Sequence, residues 1–251
     1  MDINEKLIES VYYNKDLKQV KECLEQGADV NFSNKRHYSP PIISASMNGN
    51  LEITKLLIER GANVNATSKY GSEEQYYSTA LIESTHKGHK EHLEIAKLLI
   101  DNGADVNGKD TYGWNPLMIA VNRGYMSDPD KQSLEFAKFL ISKGADINAK
   151  NEKDETALMI AMSNNSNKAI LETIQLLINN GADVNTKNKY GKTALDYIIS
   201  LKYLYAEQNF KEIKDFIVSK GGKLGSQVAV KSNQKAKVKQ KAKSNDFERG
   251  M

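Results

Sequence analysis

Four stretches of the chain space their apolar residues three and four apart: "LEITKLLIER" from 51, "LEIAKLLIDN" from 93, "LEFAKFLISK" from 134 and "LETIQLLINN" from 171. That spacing gathers Leu and Ile on one side of a helix and leaves Lys, Glu and Asn on the other, so each stretch predicts an amphipathic helix. A second set of helical segments starts at 40, 79, 115, 156 and 193: "PPIISASMNGN", "TALIESTHKGH", "NPLMIAVNRG", "TALMIAMSNN" and "TALDYIISLK". The two patterns alternate along the chain.

A short phrase punctuates them. "GADVN" at 27, "GANVN" at 61, "GADVN" at 103, "GADIN" at 144 and "GADVN" at 181 are followed by a worn "GGK" at 221, in steps of 34, 42, 41, 37 and 40 residues. Its glycine stops a helix by adopting the left-handed conformation, and the Asp and Asn after it favour tight turns. Thr or Asn ahead of "AL" or "PL" caps the next helix, with Pro116 at an early position where proline costs least. Each unit therefore reads as loop, helix, helix. One helix pair cannot cover its own apolar side, so the units must stack into an elongated solenoid.

These endings and paired helices resemble the ankyrin repeat family, whose unit of about 33 residues carries a T-P-L-H-x-A signature and a G-A-D-V-N ending. The resemblance covers residues 1 to about 222. It implies an all-α solenoid of stacked helix-turn-helix units with protruding loops, about six counting caps. The expected units are an N-terminal cap over 1–31, repeats ending near 65, 107, 148 and 185, and a C-terminal unit over 186–222. The family implies binding of a partner protein without catalysis, through variable positions at the loop tips and on the exposed side of the first helices. Here those are Lys35, Arg36, Met47 and Asn48, then Lys69, Tyr70, His86 and Lys87. They continue with Thr111, Tyr112, Trp114, Asn122 and Arg123, then Glu152, Lys153 and Glu155, and Lys189, Tyr190 and Lys192. Trp114 is expected to point outward as a partner anchor beside Tyr112, Tyr70 and Arg123, since Trp, Tyr and Arg often carry interface energy.

The steps that exceed the family's period locate insertions. "SEEQYY" at 72–77 interrupts the loop before the third unit and adds Tyr76 and Tyr77 to the candidate surface, while "YMSDPDKQ" at 125–132 falls between two helices. "SNKAI" and "KYLYAEQNF" lengthen later units. Lys90, Glu91 and His92 are a three-residue insertion after the bend at Gly88.

Composition narrows the chemistry. The 251 residues are 39% hydrophobic and 27% charged, within the range of globular proteins. The lone cysteine, Cys23, lies in an apolar helical pattern and reads as a packed thiol. "HKGHKEH" holds His86, His89 and His92, but the three straddle a bend among lysines, so no metal site is assigned. "SKGGKLGS" lacks the spacing of a phosphate-binding loop and reads as a helix stop. No catalytic residues, cofactor or small-molecule substrate are expected, and a monomer is.

Residues 223–251 carry seven Lys and one Arg against Asp246 and Glu248, a net of +6 in a chain of net +3, which leaves −3 for residues 1–222. With no apolar periodicity this lysine-rich tail is expected to be disordered. It offers an alternative function, weak nonspecific attraction to nucleic acid or an anionic membrane. The start "MDINEKLIES" has no signal-peptide pattern, so the cytoplasm is the expected location, with export lacking a cleavable signal left open.

Overall fold

The computed structural model describes residues 2–33, 39–70, 76–122, 129–163, 169–204 and 206–228. Helices alternate in two layers. The inner layer is α1 (Ile3–Glu9), α3 (Pro41–Met47), α5 (Ala80–Lys87), α7 (Pro116–Val121), α9 (Ala157–Ser163) and α11 (Ala194–Ser200). The outer layer is α2 (Leu17–Glu25), α4 (Leu51–Glu59), α6 (Lys90–Asp101), α8 (Pro129–Ser142), α10 (Ala169–Asn179) and α12 (Glu207–Ser219). Between the layers and between successive units lies a continuous apolar core containing Leu7, Cys23, Ile42, Leu57, Leu99, Leu117, Phe136, Leu158, Leu177 and Ile217, all buried. No described helix is long and apolar enough to cross a membrane.

The expected caps form. Thr79 Oγ1 accepts from the Ile82 N–H and Asn115 Oδ1 from the Met118 N–H, while Thr193 and Asp196 make a reciprocal capping box. Pro41 and Pro116 occupy first helical positions.

The endings do more than turn the chain. Asn31, Asn65, Asn107, Asn148 and Asn185 each reach into the next unit, where the side-chain amide donates to the carbonyl of Gly61, Gly103, Gly144, Gly181 and Gly221 in turn. Each side-chain oxygen accepts an N–H of the same neighbour, from Asn63, Asp105, Asp146, Asp183 and Lys223. Five asparagines thus staple six units in register. Asn4 starts the ladder by accepting from the Asp29 N–H at 2.7 Å.

The insertions lengthen regular elements. Residues 67–70 and 76–79 pair as antiparallel strands β1 (Thr67–Tyr70) and β2 (Tyr76–Thr79), with Thr67 opposite Thr79, so an otherwise helical fold carries one hairpin among its described residues. Lys90, Glu91 and His92 form the first turn of α6, and Pro129 already belongs to α8. Where these two longer outer helices begin they stand apart, leaving a cavity of about 360 Å³ edged by His89, Leu93, Glu135 and Phe136.

The inserted His92 is the buried member of the histidine cluster, 5% exposed. Its Nε2 donates to the carbonyl of Met47 at 3.2 Å, and burial, foremost, holds its pKa below the ordinary value. Gly49 (φ +72°) makes room, since a Cβ there would stand 2.9 Å from the His92 ring. His89 holds the cap position of α6 without a side-chain capping bond and lies against His92 with ring centroids 5.3 Å apart.

Packing runs beyond Gly222, where the array was expected to end. Leu224 lies on the core, the Gly225 N–H donates to Asp196 and Lys187 Nζ donates to the carbonyl of Val228. The remainder of the lysine-rich segment lies outside the described residues.

Candidate interaction surface

Three loop tips are built alike, each around one buried or half-buried Asp or Asn side chain. Asp110 Oδ1 accepts from the N–H of Tyr112 (2.9 Å) and Trp114 (2.8 Å). Asn151 Oδ1 accepts from Lys153 and Glu155, both at 2.9 Å. Asn188 Oδ1 accepts from Tyr190 (2.9 Å) and Lys192 (3.0 Å). In each, the backbone N–H of that same residue donates to the carbonyl four residues on, closing the turn. The fourth residue of the turn is left-handed: Gly113 at φ +74°, Asp154 at +57° and Gly191 at +72°. Asp is tolerated there because its short polar side chain suits that conformation.

The tips are joined to one another. The Glu152 N–H donates to the carbonyl of Tyr112 at 3.1 Å, and the Lys189 N–H to the carbonyl of Lys153 at 3.0 Å. On the other side, the Tyr77 N–H in β2 donates to Thr111 Oγ1. One hydrogen-bonded ridge therefore runs from the hairpin through three tips. Its outward side chains include Tyr77, Tyr112 and Tyr190, exposed by 36%, 57% and 71%. Each ring is presented from backbone fixed by hydrogen bonds, so little ordering remains when it meets a partner.

The ridge gathers Tyr77, Tyr112, Glu152, Lys153, Tyr190 and Lys192 from the candidate residues, with Thr111 and Lys189. The backbones of Lys69, Tyr70 and Tyr76 lie on the hairpin. Met47, His86, Lys87 and Asn122 sit at the far ends of α3, α5 and α7, one short helix away from the tips. Burial depresses the pKa of His86, and Glu83 and then Asp110 pull the other way. Asp110 itself has its carboxyl raised by burial, opposed by the N–H groups of Trp114 and Tyr112. Lys35, Arg36 and Arg123 lie outside the described residues.

Trp114 departs from expectation. It is half-buried and packs against the core rather than standing free on the surface. Its backbone N–H donates to Asp110 Oδ1 at 2.8 Å at the start of the inner helix. Glu155, at the equivalent place in the next tip, is also held inward: its carboxylate accepts from Tyr197 Oη and from Asn151 Nδ2. Asn188 Nδ2 in turn donates to Tyr197 Oη at 3.0 Å. Burial, then the bond to Glu155, pushes the Tyr197 hydroxyl far above its ordinary pKa.

Sequence reading missed the residues that shape the ridge, Asp110, Asn151 and Asn188, although a signal was present. "DTYGW", "NEKDE" and "NKYGK" align with Asp or Asn at the same offset before each inner helix. Among the described residues no group of three or more His, Cys, Asp or Glu side chains is arranged to hold a metal ion.

Comparison with known proteins gives a consistent family signal. A model of ankyrin repeats (three copies) matches residues 7–91, 70–151 and 125–222. A 70-residue stretch is 36% identical to the Arf-GAP with coiled-coil, ANK repeat and PH domain-containing protein 2 of rat and of human, 28% of this chain and 9% of each relative. The fold is similar to that of an ankyrin repeat domain from Acinetobacter baumannii, with a TM-score of 0.70 and 23% identity over 88% of this chain and 100% of that one.

Proposed function

We propose, since the chain belongs to the ankyrin repeat family, that it is a non-catalytic scaffold binding a partner protein along its loop-tip ridge and the adjoining inner helices. Ankyrin repeats are in general protein-protein interaction modules, and the chain spans 9% of the length of the relative it matches. The observation that carries the finer reading is the chain of hydrogen bonds from Tyr77 to Lys189, which fixes the backbone beneath three exposed tyrosines on one edge. Large aromatic side chains held in place recur at binding hot spots.

The test is to replace Tyr77, Tyr112 and Tyr190 by Ala together and compare, by affinity capture from cells that make the protein, what is retained by the variant and the parent. Loss of specifically retained proteins from a variant with an unchanged melting curve is the expected result. Undiminished retention would move the binding site elsewhere.

A further inference from the structure

We infer that the segment a partner lays on the C-terminal end of this ridge is acidic, its carboxylates meeting Lys153, Lys189 and Lys192 around the ring of Tyr190. The inference rests on the ridge being the partner surface.

The three lysines come from two tips whose relative position is fixed. Lys153 and Lys189 are neighbours across the joint, because the Lys189 N–H binds the Lys153 carbonyl. Tyr190 and Lys192 share the turn wrapped around Asn188, which is buried and donates to Tyr197 Oη below it. The backbone that carries the three ammonium groups is thus anchored to the core.

Lysines at neighbouring positions are used differently. Lys109 Nζ donates to the Lys150 carbonyl, Lys150 Nζ to Lys187 and Lys187 Nζ to Val228, a second ladder that ties each loop to the next. Lys153, Lys189 and Lys192 are exposed and enter none of the ion pairs among the described residues. Burial raises the nearby Asp196 carboxyl, but the N–H groups of Thr193 and Gly225 that it accepts from, the Thr193 hydroxyl and, last, Lys192 bring it below its ordinary pKa. Across these two tips the exposed carboxylate is Glu152, while Asp154 and Glu155 are half-buried.

Positive charge here stands against its surroundings, because residues 1–222 carry a net −3. A local basic patch on a negative body selects by sign: it draws a short acidic segment and repels a basic one, whereas a long polyanion also meets the body's negative charge. The linear row of tips suits an extended segment, with the Tyr190 ring offering apolar contact between charges.

The experiment pans an unbiased peptide-display library on the full chain, then measures the enriched peptides by fluorescence anisotropy. The proteins are the parent, a K153Q/K189Q/K192Q variant and a Y77A/Y112A variant. Asp- and Glu-rich ligands that bind the triple variant about tenfold more weakly, and weaken with rising salt, are expected. Neutral or basic ligands lost only in Y77A/Y112A would keep the ridge and overturn its acidic partner. Acidic ligands that ignore all the substitutions would place binding on the lysine-rich segment after 228 and overturn the inference. Failure to enrich any ligand dependent on ridge residues would overturn both the inference and the ridge. A single-stranded oligonucleotide is run beside the peptides, and tighter binding of it through the same three lysines would replace the acidic segment with nucleic acid.

Discussion

Tyr197 on α11 donates its hydroxyl proton to the carboxylate of Glu155, which lies 42 residues earlier in the chain and one unit back. The bond sits beneath the two tips that carry the basic end of the ridge, and Asn151 and Asn188 complete it. Tyr197→Phe leaves a half-buried carboxylate short of a donor and should lower unfolding free energy by about 1 to 3 kcal/mol. The pH dependence has a definite sign. The folded-state pKa of Tyr197 is raised above the ordinary 10.0, so the native state keeps a proton that the unfolded state loses. This contribution is full below about pH 10 and fades as pH rises above it. The stability gap between parent and Tyr197→Phe in urea titrations should therefore narrow at alkaline pH, and a gap that widens would contradict the assignment.

The asparagine ladder gives a second expectation. Asn148→Ala removes both the donation to Gly181 and the acceptance from Asp183, at 2.9 and 2.8 Å. Because the ladder is solvent-exposed, water replaces part of what is lost, and a destabilisation of about 1 to 2 kcal/mol in urea unfolding is expected. An effect as small as that of an ordinary surface substitution would show that the ladder only decorates the stack.

Leu99 on α6 is fully buried between the layers. Leu99→Ala should cost roughly 2 to 5 kcal/mol, the range for deleting a packed leucine side chain. A loss below about 1 kcal/mol would mean that the α6 environment can collapse around the gap.

The single tryptophan reports on the tip it occupies. Half-buried against the core, Trp114 should emit at intermediate wavelength and be quenched by iodide much less than free tryptophan. Trp114→Ala should destabilise the fold by about 1 to 3 kcal/mol, since it removes packed aromatic area. A fully quenchable, red-shifted emission with no change in stability would restore the outward anchor read from the sequence.

Most of the fold is legible in the sequence, because each unit repeats the same local instructions. Thr79, Asn115 and Thr193 cap helices as their places ahead of "AL" and "PL" imply, and Cys23 and Leu99 fall on buried sides as their periodicity implies. Beyond the tip residues Asp110, Asn151 and Asn188, what escaped was set by contacts between units. Nothing local to "GADVN" says that its Asn reaches the next glycine, and nothing local to "YGWNPL" says that Trp114 packs against the core. The three inserted residues after His89 were legible as an insertion, but their helical form and the burial of His92 depend on Gly49 and Met47 of the preceding unit. Of the candidate surface, the tip tyrosines followed from their position in the repeat. Their linkage into one ridge depends on hydrogen bonds between neighbouring tips.

Site-specific photo-crosslinking tests most directly whether this ridge carries the partner. A photoreactive phenylalanine analogue is placed at Tyr190 on the ridge and, in a separate variant, at the exposed Lys138 on outer helix α8. Both are irradiated in the cells that make the protein. The expected result is a discrete crosslinked protein from position 190 that is absent from position 138 and is lost when Lys153, Lys189 and Lys192 are changed to Gln. The same adduct from position 138, with none from position 190, would put the binding surface on the outer helices and contradict the claim.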